Sequence, residues 1–208
     1  MYTKNNYSYN FTFHIQINKI QPMNKRFLTL FSIATLSLFM SCTSSKFEIS
    51  KGKVGDITTE TTIKDLEQIF ASDSIVKNLS EGATGNNYFQ DDDEYLIFEK
   101  GGKHLLTIVP KEQLDSTSTI QSIEILDSRY TTENGLSLNS TFSEIRLNTN
   151  IAKVETSFSS ATLFIDDLNA TLAIDKEELG LKEFSTGKVT LDQIPDFAKM
   201  KSFVVWFN

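Results

Sequence analysis

The chain has 208 residues, of which 39% are hydrophobic and 23% are charged, a balance typical of globular rather than disordered proteins. All 27 acidic residues but only 16 of the 20 basic residues lie from Cys42 onward, which gives that segment a net charge of −11. This negative charge repels nucleic-acid phosphates and anionic lipid headgroups, so nucleic acid is an unfavourable partner and membrane contact has to come from a covalent lipid. Cys42 is the only cysteine, which excludes an intrachain disulfide.

The first predicted element is a lipoprotein signal peptide over residues 23–41. Basic Lys25 and Arg26 precede an apolar run from Phe27 to Met40, which at 14 residues is shorter than the roughly 20 that a spanning helix needs. Residues 1–22 lie ahead of this complete signal peptide, and we interpret them as an upstream extension from a start codon assigned too early.

The signal peptide ends at a sequence that resembles a lipobox, Phe39-Met40-Ser41-Cys42. The resemblance implies cleavage before Cys42, a diacylglyceryl group on its thiol and acylation of the new amine. Two or more acyl chains anchor a protein stably. Residues 42–48 are then a lipidated tether. Thr43 is not the aspartate associated with inner-membrane retention, which favours an outer-membrane lipoprotein that faces the periplasm.

Residues 49–126 are predicted to form a short helix followed by an antiparallel sheet. Thr62 and Asp65 have the spacing of a capping box at the start of a helix over 62–71. Apolar strands at 95–98 and 104–109 flank a Gly-Gly turn, and a third strand spans 120–126.

Residues 127–208 show the same order of elements. Thr141 and Glu144 form a second capping box, and strands are expected near 154–158, 162–165 and 170–174. The apolar segment 202–207 closes the chain and is expected inside a sheet, because an edge strand this apolar invites aggregation. The predicted fold class is α+β, with two tandem repeats of a short helix followed by a three- to four-stranded antiparallel sheet.

The two segments share a glycine upstream of a Thr-capped helix, Gly55 and Gly135, and then a meander of strands. Over residues 49–175 this pattern resembles the BamE-type assembly lipoproteins and the β-lactamase-inhibitor protein fold, which implies the helix-plus-sheet repeat described above. The segments 127–135 and 194–206 are also similar to uncharacterised lipoproteins of the Bacteroidota, a resemblance that implies no activity.

Two features offer candidate chemistry. The acidic loop 91–94 contains oxygen ligands of the kind calcium binds, but it lacks the alternating spacing of an EF-hand, so a solvated loop is the favoured interpretation and no metal site is predicted. His104 is the only histidine after Cys42, which excludes a His-rich zinc site and leaves any Ser-His-Asp triad dependent on this residue. Glycine-rich phosphate loops and nucleophile elbows are missing, so no cofactor is expected.

Three further residues are candidates for contact with a partner. Arg129 and Tyr130 are of types enriched at protein interfaces, whereas Trp206 favours a core position with ligand contact as the alternative. The favoured function is therefore a non-enzymatic envelope lipoprotein that binds a protein or peptide on a concave sheet surface. The alternative is a hydrolase or small-ligand-binding protein that uses the 91–94 loop and His104.

Overall fold

The structure, a computed structural model, describes residues 46–80, 92–181 and 187–207. The predicted signal peptide, Cys42 and Asp91 lie outside these ranges. Within them no helix has the length and apolar composition needed to cross a bilayer.

The described chain is mostly β, with little helix. A 3₁₀ turn at Ile63–Asp65 leads into the single-turn helix α1 (Leu66–Ile69), and a second 3₁₀ turn spans Leu191–Gln193. The longer helix is α2 (Phe142–Asn148). The strands are β1 (Glu48–Ser50), β2 (Lys53–Val54), β3 (Ile57–Thr58), β4 (Ser74–Asn78), β5 (Glu94–Phe98), β6 (His104–Pro110), β7 (Ile120–Ile125), β8 (Thr131–Thr132), β9 (Ile151–Thr156), β10 (Ser160–Ile165), β11 (Ala170–Asp175) and β12 (Ser202–Trp206).

Eight of these strands form one antiparallel sheet in the order β4-β5-β6-β7-β12-β11-β10-β9. The strands β4 to β7 follow one another as a meander, and so do β9 to β12. The last strands of the two meanders pair with each other, with Val204 opposite Glu124 and Trp206 opposite Ser122. The prediction that the C-terminal strand lies inside a sheet is confirmed, since β12 has β7 on one side and β11 on the other.

The second sheet has four short strands in the order β3-β2-β1-β8. Its strand β1 pairs antiparallel with β2 and parallel with β8, so Ile49 lies opposite both Val54 and Thr132. This sheet holds the start of the described chain against the segment that follows β7.

The predicted fold class, α+β with two tandem repeats of a short helix followed by a three- to four-stranded antiparallel sheet, is wrong. The described chain is mostly β, and its two meanders do not form two sheets. Strand β12 hydrogen-bonds to both β7 and β11, which joins the meanders into one sheet of eight strands. The helix expected over 62–71 is reduced to a 3₁₀ turn and one turn of α-helix. A helix this short has little stability of its own and depends on tertiary packing.

One hydrophobic core fills the space on one side of the large sheet. Side chains alternate along the strands, so residues such as Ile97, Leu163 and Leu172 are buried while their neighbours are partly exposed. The small sheet and the helical turns supply the remaining core residues, which include Ile49, Ile57, Leu66, Phe70, Phe142 and Ile145. The opposite side of the large sheet therefore lacks a comparable buried layer among the described residues.

The capping box predicted at α2 is present. The Glu144 N–H donates to Thr141 Oγ1 over 3.4 Å, and the Thr141 N–H donates to Glu144 Oε2 over 2.7 Å. We expect Thr141→Ala to lower the free energy of unfolding by about 1 kcal/mol, because one backbone N–H at the helix start loses its acceptor. Urea unfolding measures this loss. Thr141→Ser keeps the hydroxyl and should remain close to wild type, and equal losses in both variants would contradict the capping role.

Candidate functional site

The side of the large sheet turned away from the core carries a continuous row of side chains, which we call the open face. Paired registers place one residue of each strand directly opposite the next across all eight strands. Each member is at least partly exposed. In sheet order the row consists of Val76, Leu96, Thr107, Glu124, Val204, Thr171, Phe164 and Lys153.

Trp206 lies on the open face, two residues beyond Val204, and not in the buried core. Its indole Nε1–H donates to Thr171 Oγ1 over 3.1 Å, and the Asn169 side-chain amide donates to the Trp206 carbonyl over 2.9 Å. The ring borders a pocket of about 220 Å³ that is also lined by Phe164, Ile165, Asp166, Asn169, Ala170 and Thr171. Ligand contact by Trp206 stays a prediction, and this pocket is where it would occur.

His104 also lies on the partly exposed side of β6, at the start of the strand. Its ring stacks on Phe98, with 4.4 Å between the ring centroids. Its Nε2 lies 3.1 Å from the carbonyl oxygen of Leu106 and 3.3 Å from Thr107 Oγ1. These contacts hold the imidazole flat against its own hairpin.

Asp93, in the predicted acidic loop, is buried and ties two loops together. Its carboxylate accepts hydrogen bonds from the Ser80 N–H and Oγ at 2.8 Å and from the Leu114 N–H at 2.5 Å. Burial by itself raises the pKa of Asp93, but the hydrogen bonds from Leu114 and Ser80 outweigh it and lower the pKa. The solvated-loop interpretation thus fits exposed Asp92 but not Asp93.

The structure does not bring the acidic loop and His104 together. Asp93 precedes β5, whereas His104 pairs with Phe98 at the other end of that strand. Five residues of extended chain separate these ends by roughly 17 Å. Across the three described ranges, no group of three or more His, Cys, Asp or Glu side chains is placed to hold a metal ion.

Arg129 belongs to a charged group around a buried carboxylate, which we call the Asp127 cluster: Asp127, Arg129, Lys103 and Glu99. The side chain of Asp127 is 0% exposed, and its Oδ2 lies 2.6 Å from Arg129 Nη2 and 3.0 Å from Lys103 Nζ. The same guanidinium donates to both oxygens of Glu99, at 2.9 and 3.0 Å. The cluster joins the β5–β6 turn to the segment after β7.

The pKa values of this cluster favour its charged form. Burial raises the pKa of Asp127, yet the hydrogen bonds from Arg129 and Lys103 outweigh burial and lower the pKa to about 2. Hydrogen bonds from Arg129 likewise lower the pKa of Glu99. Both carboxylates are therefore ionised at neutral pH.

Tyr130 is buried, next to the Asp127 cluster. Its ring meets Phe47 edge to face at a centroid distance of 5.0 Å, and the Arg129 guanidinium lies 4.6 Å from the Phe47 centroid. Burial raises the pKa of the Tyr130 hydroxyl, which stays protonated. Among the predicted binding residues, Arg129 and Tyr130 thus come together around Phe47, whereas Trp206 lies on the open face.

Sequence reasoning missed Phe47, Asp127 and the open-face residues Leu96 and Phe164. Period-two alternation in the strand segments could have found the open face, since Leu96 and Phe164 alternate with buried neighbours. The burial of Asp127 and its contact with Lys103 have no such signal, because Lys103 and Glu99 come from the β5–β6 hairpin, more than twenty residues earlier in the chain. Lipidation of Cys42 concerns a residue outside the described ranges and stays a prediction.

The chain matches no protein-family profile and no curated protein. Its fold is similar to that of the uncharacterized protein YfeY from Escherichia coli, with a TM-score of 0.50 and 14% sequence identity. The similarity covers 76% of this chain and 99% of that one. At this identity the likeness concerns the fold alone.

Proposed function

We propose that the protein is a non-enzymatic envelope lipoprotein, anchored through Cys42, that binds a protein or peptide partner on the open face. The observation that carries the proposal is the one-sided burial of the large sheet. One side packs into the core, whereas the other presents partly exposed residues of every strand.

The chemistry of the open face suits a protein partner. Aliphatic and aromatic side chains occupy both flanks, with Leu96 on one side and Val204, Phe164 and Trp206 on the other. Aromatic residues are enriched at protein interfaces. Hydroxyl groups of Thr107 and Thr171 lie within the same row.

The face also carries charge at defined positions. Glu124 lies in the middle of the row, and its Oε1 accepts a hydrogen bond from Ser202 Oγ over 3.1 Å. Lys153 at the edge lies 4.1 Å from the Phe164 ring centroid. A largely apolar partner segment with a basic residue opposite Glu124 would complement this arrangement.

In-cell photocrosslinking tests the proposal, with a photoreactive phenylalanine analogue in place of Phe164. The matched control is the same analogue at Phe158, which is 74% exposed in the β9–β10 turn and lies outside the row. We expect a discrete protein adduct from position 164 and not from position 158. Adding Trp206→Ala should reduce the adduct about tenfold, equivalent to about 1.4 kcal/mol of binding. Adducts of equal yield and mass from both positions, or none from position 164, would refute binding at the open face.

A further inference from the structure

The first described residues, Lys46 and Phe47, are already bound to the rest of the folded chain, which we call the body. The Thr131 N–H donates to the Phe47 carbonyl over 2.8 Å, which adds a hydrogen bond beside the pairing of β1 with β8. Lys46 Nζ lies 3.2 Å from Asp73 Oδ2, and the Asp73 side chain is only 4% exposed. The segment predicted as a tether over 42–48 is therefore docked from Lys46 onward.

Close packing against Gly55 supports this docking. Gly55 has φ +59°, and a Cβ at this position would lie 2.5 Å from the Lys46 carbonyl oxygen. Only glycine fits both the backbone conformation and the contact. The Gly55 N–H also donates to the Glu48 carbonyl over 2.8 Å. The Phe47 ring in turn contacts both the Tyr130 ring and the Arg129 guanidinium.

Covalent geometry then limits how far the lipid is from the body. Three residues separate Cys42 from Lys46, so even a fully extended chain holds their Cα atoms within about 14 Å of each other. A lipid on Cys42 would therefore keep Lys46 close to the membrane surface.

The surface around the docked segment is less acidic than the rest of the protein. The Arg129 guanidinium contacts both the Phe47 ring and the Glu99 carboxylate. Lys103, which follows the β5–β6 turn, forms an ion pair with Asp127. Three cations pair with three acids here, so the charges of this group balance, whereas residues 42–208 carry a net charge of −11. We call these six residues the anchor pole: Lys46, Lys103, Arg129, Asp73, Glu99 and Asp127.

We propose that the anchor pole rests on the phosphate headgroups of the membrane that holds the acyl chains, with the β5–β6 turn against the lipid surface. This proposal depends on the proposed lipid at Cys42. The strands β5 and β6 then lead away from the bilayer, and the strongly acidic remainder of the body avoids the anionic surface. The open face is thereby held in one orientation toward a partner in the adjoining aqueous space.

Fluorescence quenching in vesicles tests the orientation with two matched variants of the full lipidated chain, Lys100→Cys and Lys111→Cys. Both lysines are exposed, and they flank β6 at opposite ends. The segment from Lys103 to Lys111 extends roughly 26 Å. Each new thiol carries a bimane probe, whereas a lipidated Cys42 thioether cannot react. The vesicles contain phosphatidylethanolamine, phosphatidylglycerol and a headgroup spin-labelled lipid that quenches only at short range.

We expect the probe at position 100 to be quenched at least about twofold more than the probe at position 111, in line with that separation. A Gly/Ser insert of about ten residues between Ser45 and Lys46 adds roughly 17 Å of reach and should remove most of the difference without altering the body. Equal quenching at the two positions, or stronger quenching at 111, would overturn the proposal.

The intact mass of the protein in the same samples distinguishes failure of the lipid anchor from failure of the proposed orientation. An unmodified Cys42 would refute the proposed lipid anchor itself. A lipidated protein with equal quenching at both positions would leave the anchor intact and refute only the orientation.

Discussion

Replacing Cys42 by serine should abolish lipid attachment and release the protein from the membrane fraction. The thiol is the nucleophile that would carry the diacylglyceryl group, and no second cysteine in the chain can replace it. The chain from Cys42 onward has a net charge of −11, which disfavours any residual electrostatic attachment to anionic lipid. Radiolabelled palmitate incorporation and partition into a detergent phase measure the two effects.

The control for this substitution is Ser44→Ala, which changes the tether and leaves the thiol in place. It should incorporate palmitate as the wild type does. If the Cys42→Ser variant remained processed and bound to membranes, or if the wild type took up no palmitate, the anchor would be refuted, and with it the orientation proposed for the anchor pole.

The second large effect is expected from Asp127→Asn, with a loss of about 2 kcal/mol in the free energy of unfolding at neutral pH. The pKa of Asp127 falls from 3.8 to about 2 in the folded protein, and each pKa unit corresponds to about 1.4 kcal/mol. The substitution keeps an oxygen acceptor at nearly the same size but removes the charge that Arg129 and Lys103 contact.

The direction of the pKa shift of Asp127 predicts how the stability of the protein depends on pH. Because folding lowers the pKa, the ionised carboxylate stabilises the protein above about pH 4, and this contribution is lost as the pH falls from about 4 to about 2. Urea unfolding across this range should show a difference between wild type and Asp127→Asn that shrinks toward zero at the acid end. A constant difference would contradict the ionic role of Asp127.

An exposed Asp–Arg pair provides the matched control. Asp196 lies 2.9 Å from Arg146 Nη2, and the side chains are 64% and 55% exposed. Solvent screens such a pair, so Asp196→Asn should cost less than about 1 kcal/mol. Equal losses in the two variants would show that burial of Asp127 does not strengthen its contacts.

Several strands were predictable because apolar residues alternate within them. The predicted strands at 95–98, 104–109 and 170–174 are confirmed within one residue at each end, and the Gly-Gly turn lies between β5 and β6 as expected. Both turn glycines have positive φ, at +124° and +93°. Local periodicity and turn chemistry act within a few residues, so the sequence shows them directly.

Other strands left no usable signal. The edge strand β4 has mostly exposed side chains, and β2, β3 and β8 have only two residues each. Two residues cannot display a period. Backbone pairing with distant segments, such as β1 with β8, defines these strands.

For the candidate binding residues, too, some properties could be predicted from the sequence and others depend on tertiary contacts. Residue type alone selected Arg129, Tyr130 and Trp206, but it could not show that Tyr130 is buried or that Arg129 contacts two carboxylates. The cluster around Asp127 depends on tertiary structure, because Lys103 and Glu99 reach Asp127 and Arg129 from the distant β5–β6 hairpin.

Signals confined to neighbouring residues were available from the sequence by itself: the predicted signal peptide before Cys42, the cap at Thr141, and the alternating strands. The tertiary structure alone decided that β12 joins β7, that the large sheet has one open face, and that Phe47 is held beside Arg129 and Tyr130. The physical reason is that these contacts join segments far apart in the chain. Their stability comes from packing and hydrogen bonds that exist only once the whole chain is folded.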